Sequence, residues 1–279
     1  MNGVPTKVVK IGGRELVGGP ELDRLVGALA RWVRRGERLV VVHGGGDEIT
    51  ERARALGLPT QRRDGQRVTD AAMLEVVIEV LAGRVNTRLV RALLGAGVPA
   101  VGLSGVSGGL LKVRPAGNPP GSLGWVGRPT HVAARLLEGL LLDGLTPVIA
   151  PLGVDAGGAV YNVNADLAAA AIAAALGAEL RLVTDVDAVH GTGGEPIARL
   201  GAAEARALIA NGVARDGMIP KLEATLVALD DGAASAWIGA LDALADGAPA
   251  PARGTWLTRE AVRSRPARPT AVFPGGVRR

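Results

Sequence analysis

Lys10 in the string VVKIGG and Lys221 in GMIPK stand beside glycines in a chain that otherwise carries its positive charge on arginine. Of 32 basic residues only Lys7, Lys10, Lys112 and Lys221 are lysines. A composition so biased toward arginine keeps lysine where a compact charge on a slim stem is needed, because a planar guanidinium does not fit between a phosphate and a close-packed glycine backbone. Lys10 and Lys221 are therefore candidates for phosphate chemistry. The other strings that could do chemistry are VVVHGGG at 40–46, NVNAD at 162–166, LVTDVDAV at 182–189 and RDGMIPK at 215–221. VVVHGGG ends a strand-like run in three glycines, and each of the others carries an acid, an amide or a lysine.

Several familiar chemistries are missing. There is no GxxxxGK[ST], no GxGxxG after a strand, and no HRD and DFG pair. His43, His131 and His190 are isolated and none belongs to an HExxH, so no metal-ligand spacing is present. GLSG around Ser104 is not a GxSxG elbow, which argues against a serine hydrolase.

The elements that must position these strings alternate. Residues 8–11 read as a strand, and residues 20–35 place Leu22, Leu25, Val26, Leu29, Trp32 and Val33 at helical spacing. Strand 39–42 ends at His43 and a triple glycine, and a helix is expected from Asp47 to Leu56. Residues 70–94 read as a helix bent at Gly83, and 98–103 as a strand. The glycine- and proline-rich stretch 104–128 reads as an excursion from the sheet into hairpins. A helix over 131–142, a strand over 147–151, a hairpin over 154–163 and an alanine-rich helix after Asn164 follow. Strand 180–184, helices 201–210 and 221–229, and short strands 236–238 and 255–257 complete the pattern. Such alternation predicts an α/β fold, a three-layer αβα sandwich with a mainly parallel central sheet. Ligands of such sheets bind beyond the carboxyl ends of the strands, where the glycine clusters at 12–13 and 44–46 fall.

Composition agrees. Hydrophobic residues reach 48% and aromatics only 2%, so the core must be aliphatic. Without cysteine the chain has no disulfides or thiolate metal sites, and a cytoplasmic protein is expected. The start lacks the pattern of a signal peptide, and the longest apolar run, 167–178, is too short for the ~20 residues that cross a bilayer. The net charge of +5 does not mark a nucleic-acid binder: residues 258–279 hold six arginines and one acid, which leaves the rest neutral. That basic tail, broken by prolines, is expected to be disordered.

In this order and spacing the strings resemble the amino acid kinase family from about residue 7 to about residue 257. The match includes HGGG at 43–46, GQRVTD at 65–70, AGRVNTRLV at 82–90, VGLSG at 101–105, TPVIAPLGVD at 146–155, NVNAD, TDV at 184–186, DGMIPK and Gly254-Thr255. The branch it is most similar to transfers the γ-phosphoryl of ATP, with Mg²⁺, to the side-chain carboxylate of N-acetyl-L-glutamate in arginine biosynthesis. The resemblance implies that Lys10 and Lys221 flank the transferring group, that Asp166 holds both in register, and that Gly12 and Gly13 face the β and γ phosphates. Gly44 and Gly45 would clamp the acceptor side, Arg67 would pair with the acceptor's α-carboxylate, and Asn162 would bind acceptor groups. Nucleotide contacts would come from Thr184, Asp185, Val186, Asp216, Gly217 and Met218. Residues 1–176 would form an acceptor-binding, dimerising lobe and 177–257 a nucleotide lobe.

By the same resemblance the chain is expected to be a homodimer, because the first strand is reached by Lys7 without the extra helix of hexameric, arginine-regulated relatives. Two departures stand out: Ala188 replaces a common glycine, and Ser107-Gly108 replaces an acidic-glycine pair. The rival readings are a kinase of carrier-protein-bound aminoadipate or glutamate in lysine biosynthesis, and a non-catalytic nucleotide- or nucleic-acid-binding regulator on the same fold. A neutral body and NVNAD disfavour the first, and the set of Lys10, Asp166 and Lys221 disfavours the second.

Overall fold

The computed structural model describes residues 5–63, 65–117, 119, 121–245 and 253–259. β1 (Thr6–Ile11) runs through the Gly12-Gly13 turn toward α1 (Pro20–Arg34), and β2 (Arg38–His43) through Gly44-Gly45 into α2 (Gly46–Ala55). A hairpin of β3 (Arg62–Arg63) and β4 (Gln66–Arg67) leads to a long rod: α3 (Ala71–Ile78), a π-helical stretch Glu79–Val85, and α4 (Asn86–Gly95). After β5 (Ala100–Ser104) the chain leaves the sheet as β6 (Leu111–Pro115) and β7 (Val126–Val132). It returns through α5 (Ala134–Leu142) and β8 (Thr146–Ala150), then leaves again as β9 (Leu152–Val154) and β10 (Val160–Val163). α6 (Ala165–Ala175) and β11 (Glu179–Thr184) precede a small hairpin, β12 (Val189–His190) and β13 (Pro196–Ile197). β14 (Arg199–Gly201), α7 (Ala202–Ala210), α8 (Met218–Asp231), β15 (Ser235–Ala240), α9 (Leu241–Ala245) and β16 (Thr255–Thr258) complete the described chain.

The central sheet has eight strands in the order β14-β16-β15-β11-β1-β2-β8-β5. All neighbours are parallel except β15 and β16. Successive residues of a strand point to opposite faces, and here both faces are dry. Val8, Val40, Val42 and Leu180 join the core beneath α6 and α8, whereas Val9, Ile11 and Val41 join the core beneath α1 and α4. The expected three-layer sandwich is thus observed, with one continuous sheet in which β1 pairs with β2 on one side and β11 on the other.

β6, β7, β9 and β10 close into a small ring beside the sheet, which is the expected excursion. One expectation fails: a helix does not begin at 131. His131 and Val132 pair with Lys112 and Leu111 as the end of β7, and the helix begins only at Ala134, because those two residues complete the ladder with β6. The break at Gly83 takes the form of the π-helical stretch. Most of the basic tail lies outside the described residues. Of its beginning, Thr258 pairs with Gly201, and the Arg259 guanidinium donates to Leu229 O at 2.6 Å and Ala233 O at 3.2 Å.

Candidate functional site

Alternation along β1 puts Lys10 on the same face as Val8, toward α6. Its Nζ lies 2.8 Å from Asp166 Oδ1. Lys221, one turn into α8, reaches the same carboxylate from the other side, with Nζ 3.3 Å from Oδ2. α6 and α8 approach closely because the buried residues of α6 are mostly alanine. Asp166 is 6% exposed and Lys10 8%. Burial alone would raise the Asp166 carboxyl, but Lys10 and then Lys221 outweigh it and hold the group below its ordinary value. Asp166 is therefore ionised at neutral pH, and the two lysines that stabilise its charge make it a weak base. It orients two ammonium groups, and the three groups together carry one net positive charge. Capping of α6 falls to Asn164, whose Oδ1 accepts from Asp166 N at 2.8 Å and Leu167 N at 3.3 Å, which frees the Asp166 carboxylate for the lysines.

Two glycine turns cross above β1 and β2. Gly44 N donates to Ile11 O at 2.9 Å. A Cβ on Gly13 would sit 3.2 Å from both Gly45 Cα and Gly45 N, and one on Gly45 only 2.7 Å from Leu81 Cδ2. A side chain at Gly13 would press on the Gly45 backbone and one at Gly45 would displace Leu81, so glycine keeps the two turns close and leaves peptide groups at the carboxyl edge of the sheet and at the N-terminus of α2.

A cavity of about 140 Å³ lies beyond the second turn, lined by Gly44, Gly45, Arg62, Arg67, Asn162 and Leu81 among others. Arg67 is buried, and its Nη2 donates to Gly46 O at 2.8 Å and Thr50 Oγ1 at 2.7 Å. Its Nη1 is buried without a hydrogen-bond partner. A guanidinium anchored by one nitrogen with the other unsatisfied is prepared for an anion. Asn162 Nδ2 donates to Thr69 Oγ1 at 3.1 Å, which in turn donates to Arg67 O at 3.0 Å, so the two polar walls are tied together. A second cavity, about 350 Å³, is lined by Lys10, Gly12, Gly13, Lys221, Thr184 and Asp185. Gly46 and Arg62 line both, so the two spaces meet there.

Of the residues expected at the site, Lys10, Lys221, Gly12, Gly13, Thr184 and Asp185 share the second cavity, and Gly44, Gly45, Arg67 and Asn162 the first. Asp166 lies behind them, joined to both lysines. Val186, Asp216, Gly217 and Met218 line neither: Asp216 and Gly217 are exposed ahead of α8, with Asp216 at φ 45°, and Met218 packs partly into the core. Of the two departures, Ala188 is buried, and Ser107 Oγ accepts from Ser104 N at 3.1 Å.

Sequence reasoning missed four positioning residues, His43, Asn86, Arg88 and Glu48. His43 is fully buried, with Nδ1 2.9 Å from Gly44 O and Nε2 3.1 Å from Asn86 Nδ2. Burial lowers its pKa to about 4, so it is neutral. Arg88 grips Glu48 with two bonds of 2.8 Å and donates to Leu16 O at 2.7 Å, which locks α4 to α2 and to the segment after β1. The signal was available in HGGG and AGRVNTRLV, but nothing in the residue types said that these strings meet.

Known proteins resemble this chain over most of its length. An acetylglutamate kinase of Rubrobacter xylanophilus is 50% identical over 228 residues, covering 81% of this chain and 86% of the relative. One from Sorangium cellulosum is 47% identical over 237 residues, covering 81% and 83%. The structure of N-acetylglutamate synthase from Neisseria gonorrhoeae, complexed with coenzyme A and N-acetyl-glutamate, superposes with a TM-score of 0.79 at 28% identity. It covers 92% of this chain but 60% of that protein. The profile of the amino acid kinase family matches residues 5–240, a span that holds both lysines, Asp166 and both glycine turns, and the chain belongs to that family.

Proposed function

We propose that this chain is an acetylglutamate kinase, which transfers the γ-phosphoryl group of ATP to the side-chain carboxylate of N-acetyl-L-glutamate. The observation that carries the reading is the buried Asp166 carboxylate, shared by Lys10 and Lys221, which line the cavity that meets the Arg67 cavity at Gly46 and Arg62. A carboxylate acceptor is ionised at neutral pH, so the reaction needs no general base, and neither candidate is suited to the role: both oxygens of Asp166 are engaged by lysines that make it a weak base, and His43 is turned away into the protein. What the reaction needs is relief of repulsion between the acceptor and the phosphates, together with alignment of the two.

The chain's groups divide that work. Arg67 takes the acceptor's α-carboxylate on its unsatisfied Nη1, and Asn162 binds acceptor groups beside it. Gly45 offers its peptide N–H to the oxygens of the migrating phosphoryl on the acceptor side, while the Gly44 N–H is held by Ile11 O, and Gly12 and Gly13 offer theirs on the nucleotide side. Lys10 covers the transferring group and Lys221 the leaving side. Residues 1–176 supply the acceptor site and 177–257 the nucleotide site, where Thr184 and Asp185 already line the cavity. Val186, Asp216, Gly217 and Met218 are assigned to the outer part of the nucleotide. Mg²⁺ would supply charge neutralisation on the phosphates. Glu15, Asp47 and Asp185 are the carboxylates lining that cavity, and no cluster of three metal-binding side chains stands among the described residues, which fits an ion held mainly by phosphate and water.

No helix among the described residues is long and apolar enough to cross a membrane, and we assign the enzyme to the cytoplasm. The outer edge of β5 is unpaired among the described strands, which supports association into a homodimer; light scattering that returned a monomer or a hexamer would overturn that assignment. The activity is tested by an ATP-dependent hydroxamate assay with N-acetylglutamate beside glutamate, aspartate and N-acetylaminoadipate. Acylphosphate formation with N-acetylglutamate is expected, and its absence refutes the reading.

A further inference from the structure

The acceptor-side turn contains a mechanical weakness. The peptide joining Gly44 to Gly45 is flanked by two residues without side chains, so rotation of that peptide plane meets little steric resistance. Its direction nevertheless decides whether an N–H or a carbonyl oxygen faces the migrating phosphoryl, a choice between attraction and repulsion.

The Gly44 carbonyl is 2.9 Å from His43 Nδ1, and the far side of that imidazole is 3.1 Å from Asn86 Nδ2. The Asn86 amide nitrogen also lies 2.9 Å from Val148 O and 3.3 Å from Leu103 O, both obligate acceptors, which identifies it as the donor. His43 Nε2 must then accept. A neutral imidazole that accepts at Nε2 carries its proton on Nδ1, and that proton is donated to Gly44 O. Because a trans peptide points its C=O and N–H in opposite directions, a Gly44 carbonyl held toward His43 turns the Gly45 N–H away from it. The Gly45 N–H makes no hydrogen bond among the described residues, and Gly45 lines the acceptor cavity.

We propose that His43, held in one tautomer by Asn86, is a positioning residue that fixes the Gly44-Gly45 peptide with its N–H toward the transferring phosphoryl group. The π-helical stretch supports the device from beneath. Leu81 and Val85 abut Gly45, where a Cβ would approach them to 2.7 Å and 3.3 Å, and Asn86 follows directly after that stretch. The role of the turn rests on the phosphoryl-transfer reading given above, whereas the tautomer and the peptide orientation do not.

The test compares His43→Leu, which cannot donate, with His43→Asn, whose amide can place an N–H near the position of Nδ1. In the hydroxamate assay His43→Leu should lower kcat by about 10²-fold, the cost of losing one oxyanion-type donor, with KM for ATP and N-acetylglutamate changed little. His43→Asn should recover most of that kcat. Equal kcat in wild type and His43→Leu overturns the proposal, and so does an equal loss in both variants, which is the result expected of a purely structural histidine. A wild type inactive with N-acetylglutamate instead refutes the assignment of activity. Should His43→Leu not fold, the imidazole ¹H–¹⁵N correlation spectrum of the wild type decides alone, since the chain has only three histidines. One neutral histidine protonated at Nδ1 is expected near pH 7, and three histidines that are charged or protonated at Nε2 overturn the proposal.

Discussion

The buried His43 predicts a specific acid sensitivity. Its pKa is lowered to about 4 in the folded protein, mainly by burial, against 6.5 for an exposed histidine. Protons are therefore taken up by the unfolded chain between pH 6.5 and about 4 while the folded chain excludes them, so stability falls as pH is lowered through that window. A pKa difference of one unit corresponds to about 1.4 kcal/mol, and integration across the window gives a loss of about 2 kcal/mol at pH 5 and about 3 kcal/mol at pH 4, relative to neutral pH. Against a domain stability of about 5–15 kcal/mol this is a large fraction. The assay is urea unfolding at half-unit steps from pH 8 to pH 4, in wild type and in His43→Asn. The difference between the two curves isolates His43, because His131, His190 and the carboxylates are common to both proteins. His43→Asn should lose about 2 kcal/mol less than wild type between pH 7 and pH 5. Parallel curves would refute both the neutral buried imidazole and the tautomer argument built on it.

Lys10→Arg and Lys221→Arg should each lower turnover by about 10²-fold or more while the chain stays folded, because the broader head does not fit the slot beside Asp166 and a glycine turn; hydroxamate kinetics at wild-type level in either variant would contradict the assignment. Arg67→Lys should raise KM for N-acetylglutamate by about 10-fold or more and leave KM for ATP unchanged, since one ammonium cannot satisfy Gly46 O, Thr50 and a substrate carboxylate at once; a rise in KM for ATP instead would move Arg67 out of the acceptor site. Removal of residues 260–279, which spares the paired Thr258 and the anchored Arg259, should leave hydroxamate formation intact, and total loss would favour a reading in which the basic tail is the working part.

Much of the architecture was legible because it rests on local rules. Short β-branched runs such as residues 39–42 alternating with helical spacing in 20–35 imply a covered parallel sheet, whatever the partners of each strand. The helix expected at 131 failed for a reason local rules do not contain: His131 and Val132 complete a ladder with Lys112 and Leu111, twenty residues away. Asn164, which the sequence marks only as the residue before the alanine-rich helix, caps α6. For the site, residue type was informative where chemistry restricts choice. A lysine in an arginine-rich chain and a glycine run after a strand are such cases. His43, Asn86, Arg88 and Glu48 carried no comparable mark, since buried histidines and ion pairs occur in many roles.

The amino-acid sequence by itself determined the layered α/β class, singled out the two lysines that share one cavity, and marked the glycine turns, because these depend on side-chain size, periodicity and local backbone freedom. Only the tertiary structure decided that one carboxylate lies between both lysines, that Arg67 keeps one nitrogen unsatisfied over a cavity, and that His43 faces Asn86 rather than the substrate. Those are relations between segments up to 156 residues apart, as Lys10 and Asp166 are, set by which face of β1 meets α6 and by how closely an alanine helix lets α8 approach. No local pattern encodes the direction of the Gly44-Gly45 peptide; the hydrogen bonds that converge on it from β2, α4 and β8 do.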